Sequence, residues 1–333
     1  HRVPGVLICA PAPRRVQQML VSAVVLPIDP PDFERRPHDH TLDAQRHAHL
    51  QEVWKPLSVL FVWDVVVTVV YYFLPFRAPG LPLTIFGSAL ALFLGFRDNA
   101  AYARWWEGRV LWGQMINASR SLARAALAFI DDATATGREI RRDIVTRQIA
   151  YVHALRAALR RQNDCPDLER LLSDDEVNLV KQRRNVPNAI HDGTGYLVAH
   201  ARRIGEIDTI QQAQIEAVLV DISNAQGGME RIKNTPLPMQ YRFFPALFTR
   251  VFCILLPIGL VETLGMATPV GSTMAGLMFL AILQIGEDLV DPFANSVHDV
   301  PLSAMCRTIE IDLLQALGEP APEPLAEVKG VLW

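Results

Sequence analysis

The sequence predicts an all-helical, polytopic membrane protein, and three observations carry that reading. Half of the 333 residues are apolar and one fifth are charged, a balance tilted toward the bilayer. Four apolar segments are suited to cross or deeply enter a membrane, and they come as two pairs, each joined by a short turn-rich link. Between the pairs, residues 97–242 are rich in Arg, Ala, Leu and Gln, with apolar positions at helical rather than strand spacing, as in "IRRDIVTRQIAYVHALRAALRR".

Residues 1–45 contain the apolar patch "MLVSAVVLPI", but prolines crowd it and no small-residue cleavage pattern closes it, so a weakly structured extension is expected. The first hairpin spans 56–96: "PLSVLFVWDVVVTVVYYFLPF", the turn "RAPGLP", then "LTIFGSALALFLGF". The second spans 243–286: "FFPALFTRVFCILLPIGLVETL", the turn "GMATP", then "VGSTMAGLMFLAILQIG". Arg97, Arg104 and Arg109 follow the second segment, while Arg231, Lys233 and Arg242 precede the third. By the positive-inside rule, residues 97–242 and both termini then face the cytosol. A post-membrane loop and helix over 287–315 and a loose tail over 316–333, carrying "EPAPEPLAEV", complete the chain.

Several functions are excluded or disfavoured at this level. A net charge of -3 lacks the basic surplus that phosphate recognition needs, so no nucleic-acid partner is expected. Cys9, Cys165, Cys253 and Cys306 are scattered without a CxxC pair and predict neither disulfides nor zinc. His38, His40, His47 and His49 cluster in "HDHTLDAQRHAH", yet no Cys or Glu stands at a settled spacing, and a solvated pre-membrane segment is the reading adopted. His153, His191, His200 and His298 are isolated in sequence, and no nucleophile, oriented base or phosphate loop is present. The expectation is a non-enzyme with no metal and no cofactor. Asp64, Arg250 and Glu262 fall in or near membrane segments, where charge is costly, and Arg250 is the expected partner of Asp64.

The second segment holds too few apolar residues before Arg97 to span comfortably, so it is expected to run on into water as one helix. Gly87, Ser88, Ala89, Ala91 and Gly95 leave it little bulk to present to lipid, and it needs protein neighbours. Copies from several subunits meeting on an axis would make it a pore lining. An ordinary buried helix with tryptophans at the interface has the same pattern, and periodicity does not choose between them.

The stretch "FLGFRDNAAYARWWEGRVLWG" resembles the second-helix signature of the bestrophin family, carried by Arg97, Asn99, Tyr102, Arg104, Trp105 and Glu107. "NTPLPMQY", "LLPIGLV" and "GEDLVDPFANSVHDVPLSAMCRTIEIDLL" resemble that family's third-helix start and post-fourth-helix loop, so the likeness covers about residues 50–315. The resemblance implies a homopentamer in the bacterial inner membrane, with one axial pore for small monovalent ions. Its neck falls on Ser88, Leu92 and Phe96, which share a helix face at i, i+4 and i+8. Ser88 departs from the bulkier apolar residue usual in the family. A cytosolic constriction falls on Ile210.

In calcium-gated members the loop after the fourth helix carries a dense acidic run. Here Asp291, Asn295, Ser296 and Asp299 replace it with a sparse set, so the calcium clamp is expected to be dismantled. Animal bestrophins pass anions and bacterial relatives are associated with cations; the degraded loop and compact length lean this chain toward monovalent cations. The alternative function is a non-conducting membrane scaffold or transporter. A carrier would show discontinuous helices with midplane polar groups.

Overall fold

The computed structural model describes residues 41–73, 80–328 and 331–333, with side chains from Trp54 onward. Helix α1 is Thr41–Phe73, α2 is Leu83–Phe129 and α3 is Ala135–Leu159. The short helices α4 (Asp167–Leu171) and α5 (Asp174–Lys181) lead to α6 (Val186–Ile204) and α7 (Thr209–Asn234). Helix α8 (Met239–Leu264) and helix α9 (Thr268–Asp288) are joined by a 3-10 turn at Gly265–Ala267, and α10 is Leu302–Leu317. Among the described residues the only β feature is one antiparallel bridge, Val328 to Val331.

The expected extension over 1–45 and the histidine cluster lie mostly outside the described residues, but α1 already begins at Thr41. Two stretches have the length and hydropathy of membrane spans: Trp54–Phe73, and Met239–Asp288, which the 3-10 turn divides into α8 and α9. The apolar start of α2 is not among them, in keeping with its short run before Arg97. Only 22 % and 39 % of the two stretches is buried within the chain, so most of their apolar surface needs lipid or a neighbouring subunit.

Helix α2 runs unbroken for 47 residues, about 70 Å at 1.5 Å per residue. The reason is in its sequence: no proline interrupts Leu83–Phe129, and the alanine-rich second half favours helix. Its upper part packs on α8 and α9 through Leu90, Leu94, Phe252 and Leu256. Its lower part enters the main core, where Trp112, Met115 and Leu122 meet residues of α3, α6, α7 and α10. Trp112 is fully buried there and is no interfacial anchor.

Helix α7 lies antiparallel to α2. Glu107 pairs with Arg231, and one turn further along α2 Leu111 lies 2.8 Å from where a Cβ on Gly228 would stand. Asp208 starts α7 with a capping box, its carboxylate accepting from the backbone N–H groups of Ile210 and Gln211 while Gln211 Oε1 accepts from Asp208 N–H. The C-terminal segment is less loose than its composition suggests. The Trp333 carbonyl accepts from Ala304 N–H at 2.6 Å, and Glu319 bonds Arg142 at 2.6 Å.

Candidate functional site: a pore helix and the residues that hold it

Ser88, Leu92 and Phe96 lie on one exposed stripe of α2, opposite the packed stripe of Leu90, Leu94, Arg97 and Ala101. Leu92 is 62 % exposed and Phe96 61 %, part of a wider exposed apolar surface on the upper part of α2 that includes Ile85, Phe86 and Phe93. The Ser88 hydroxyl donates to the Thr84 carbonyl at 2.7 Å, so its donor is spent on its own helix and the stripe stays weakly polar. Ile210, in the first turn of α7, is 70 % exposed. With α7 antiparallel to α2, it stands level with the far end of α2, about 50 Å below Phe96 along the helix axis. The exposed α7 face continues from Ile210 through Gln214, Ala217, Asp221 and Asn224, at i, i+4, i+7, i+11 and i+14.

The signature block that follows Phe96 is a set of tethers. Arg97 is 1 % exposed and reaches across to α9, donating to the Leu283 carbonyl at 2.8 Å and pairing with Glu287. Gly286 makes room for it: a Cβ there would stand 2.6 Å from Arg97 Nη1 and collide with Asp98. Arg104 donates to the carbonyls of Thr235, at 2.7 Å, and Ile232. These belong to the end of α7, where carbonyls lack helical partners and the dipole favours a cation. Trp105 donates its indole N–H to the His298 carbonyl at 3.0 Å, holding the loop after α9, and Arg109 lies 6.0 Å over its ring. Tyr102 stacks against Trp105 and Trp106 at 6.2 and 6.5 Å. Glu107 pairs with Arg231 of α7. Asn99 is exposed on the side of α2 that carries Phe96.

In the loop after α9, Asp291 accepts from Lys233 Nζ at 2.7 Å, and its other oxygen accepts from Phe293 N–H at 3.2 Å. Asp299 accepts from the backbone N–H and hydroxyl of Ser296 at 2.8 and 2.7 Å. Burial pushes the Asp299 carboxyl up to about 6 despite those bonds. Asn295 has a left-handed backbone, φ 74°. The spacing by four therefore does not place these oxygens on one helix face; one carboxylate is neutralised by a lysine and the other is closed on its own turn.

Within the membrane layer, Asp64 is fully buried and is not paired with Arg250 as the sequence suggested. Its two oxygens accept from Ser272 and Thr273 of α9 at 3.0 and 2.7 Å. The neighbouring Trp63 indole reaches the Ile254 carbonyl, so Arg250 lies about a turn away along α8. Neither Ser272 nor Thr273 stood out in the sequence, because hydroxyls inside an apolar run give no signal until a buried acid faces them.

Among the described residues, one continuous helix with an apolar stripe left unpacked at its top and arginine tethers below fits a channel-type membrane subunit better than a carrier built on broken helices. The Bacterial/Fungal Bestrophin protein family matches residues 34–315. The chain is 38% identical over 234 residues to the Voltage-dependent anion channel-forming protein YneE of Escherichia coli (strain K12), covering 70% of this chain and 75% of that protein. It is 35% identical over 292 residues to the Voltage-dependent anion channel-forming protein RSc3414 of Ralstonia nicotianae, covering 86% of this chain and 95% of that protein. Its structure superposes on a bacterial Bestrophin homolog from Klebsiella pneumoniae with a TM-score of 0.75 at 31% identity, over 79% of this chain and 98% of the other. The chain belongs to the bestrophin family, whose members are channels and not enzymes.

Proposed function

We propose that this chain is the subunit of a homopentameric ion channel in the bacterial inner membrane, both termini cytosolic, passing small monovalent ions along an axis lined by α2 above and α7 below. The observation that carries this is the Ser88, Leu92, Phe96 stripe: large apolar side chains exposed on a helix whose opposite face is packed. A ring of them forms a neck that gates by dewetting, and Ile210 narrows the path again at the cytosolic end. The short apolar run of α2, too brief to face lipid alone, supports its enclosure by copies of itself. Native mass spectrometry in mild detergent is expected to show the pentamer, and planar bilayers containing the purified protein to show single-channel current. A stable monomer or dimer, or silent bilayers from a folded pentamer, overturns the reading and favours a non-conducting scaffold.

The neck is neutral, so the sign of the ion is set by charge elsewhere. The relatives' names say anion, against the cation preference expected from the sequence, and favour chloride-like ions. A second reading rests on Asp221, exposed on the α7 face that carries Ile210, where a ring of acids favours cations. The reversal potential under a salt gradient separates the two, and Asp221→Asn moves it only under the second.

Calcium is not expected to gate the channel. Hard cations take six to eight oxygens, several of them carboxylate. Asp291 is held by Lys233, and both oxygens of Asp299 are taken up by the backbone N–H and hydroxyl of Ser296. Stepping cytosolic free calcium from chelated to micromolar is expected to leave open probability unchanged. A reversible rise abolished by Asp299→Ala would show that this loop binds the ion.

A further inference from the structure

We propose that His153 is a cytosolic pH switch that fastens α4 and α10 to α3 only while its ring carries two protons. His153 is 2% exposed on α3, with Nδ1 3.3 Å from Asp167 of α4 and Nε2 3.2 Å from Glu310 of α10. A neutral imidazole has one N–H and one lone pair, so one carboxylate would face a lone pair. Only the imidazolium presents a proton to both, hydrogen-bonding Glu310 through Nε2 and facing Asp167 at ion-pair distance through Nδ1.

Three arginines and two thiols also surround this cluster. Arg156, on the same helix, bonds Asp167 at 2.9 Å. Arg170 of α4 lies 2.7 Å from Glu310 and 3.6 Å from Asp167, and Arg307 of α10 lies 3.7 Å from Glu310. The thiols of Cys165 and Cys306 are raised by burial and stay protonated. Among the described residues, α2, α6 and α7 bring no acid within ion-pair distance of the ring. Burial works against the imidazolium, as does Arg156 more weakly, but the two flanking carboxylates, Asp167 and Glu310, outweigh both and raise His153 above its ordinary value. The complementary carboxyls are held low: Asp167 foremost by its bond to His153, and Glu310 by His153 and Arg170 against the opposing effect of burial.

A histidine raised in the closed state contributes its full fastening below the free value near 6.5, and the contribution is lost as pH rises toward the raised one. Between those limits the closed form keeps a proton that the open form has released, so the opening constant rises tenfold per pH unit. Opening reaches the pore helix by a short route, because Arg120 of α2 pairs with Asp312 of α10 at 2.7 Å.

The switch is tested without any measurement of current. Hydrogen exchange on the full chain in detergent, corrected for intrinsic rates, is expected to show α4 and α10 amides opening about tenfold more per pH unit above about 6.5, with no such slope in His153→Gln. A wild-type opening constant independent of pH, or the same slope in His153→Gln, overturns the proposal. Should that variant fail to fold, ring nitrogen spectra of the wild type across a pH series decide: a ring that loses its second proton only above the ordinary value of about 6.5 supports the switch, and one that loses it at or below that value overturns it.

Discussion

Leu92→Ala and Phe96→Ala are each expected to raise single-channel conductance or open probability several-fold while leaving the fold intact. Both side chains are largely exposed within one chain, at 62 % and 61 %, so truncation removes little packing and changes stability by about 0.5 kcal/mol or less within a protomer. On the axis the effect is large, because each subunit contributes the same change to one ring and a wider, less apolar ring keeps its water. Ser88→Leu runs the other way, restoring bulk at the upper end and lowering current. Ile210→Ala acts about 50 Å further down and is expected to alter permeation without wetting the neck. The measurement is bilayer current from variants whose assembly matches the wild type. Unaltered current in both Leu92→Ala and Phe96→Ala would remove the neck from these positions.

That Ser88, Leu92 and Phe96 share one helix face was legible in the sequence because it is a local property: i, i+4, i+8 on a helix needs no knowledge of anything else in the chain, whereas the proposal that this face is a neck came from the resemblance. The continuity of α2 was legible for the same reason, since nothing between Leu83 and Phe129 stops a helix. The tethers were not. Arg97 stood out as an arginine ending an apolar run, but its partner Glu287 lies 190 residues away and reads there as an ordinary acid after a membrane segment. His153 was set aside as isolated, which holds along the chain; Glu310, 157 residues later, and Asp167 on a five-residue helix enclose it in space. Pairing across such separations has no periodic signature, and composition reports only that charges exist.

The reading of Asp64 failed for a related reason. A lone acid in a membrane segment invites a search for a cation, and Arg250 was the nearest in kind. The fold met the demand with two neutral donors, Ser272 and Thr273, from α9. Hydroxyls satisfy a buried carboxyl without bringing a second charge out of water, which avoids the desolvation penalty of a full ion pair. The tail over 316–333 was likewise taken as loose from its prolines, yet Trp333 returns to the start of α10 through one backbone bond. Proline sets local geometry and does not forbid docking.

Arg97→Ala is expected to destabilise the protein more than any change in the neck, lowering assembled yield and the midpoint of thermal unfolding. The guanidinium is 1 % exposed and serves two acceptors on α9, the Leu283 carbonyl, as a second donor beside its helical one, and Glu287, so removing it costs the carboxylate its buried donor. Breaking a buried pair costs about 3–5 kcal/mol. Here Glu287 is 45% exposed and has Arg242 at 3.5 Å, so part of that loss is recovered from water and from the second arginine. About 2–3 kcal/mol is the expected cost on that basis, a large share of a typical stability of about 5–15 kcal/mol. Arg97→Lys distinguishes geometry from charge: an ammonium keeps the charge but lacks the planar fork that spans both acceptors, and should fall between wild type and alanine. Gly286→Ala gives an independent route to the same contact, since its methyl would press on Arg97 and Asp98 from the opposite helix. Fluorescence-detected size exclusion after a heating series measures all three. Wild-type melting in Arg97→Ala would show that α2 and α9 are held by apolar packing alone, and that the arginine ending the apolar run is there for the ion rather than for the fold.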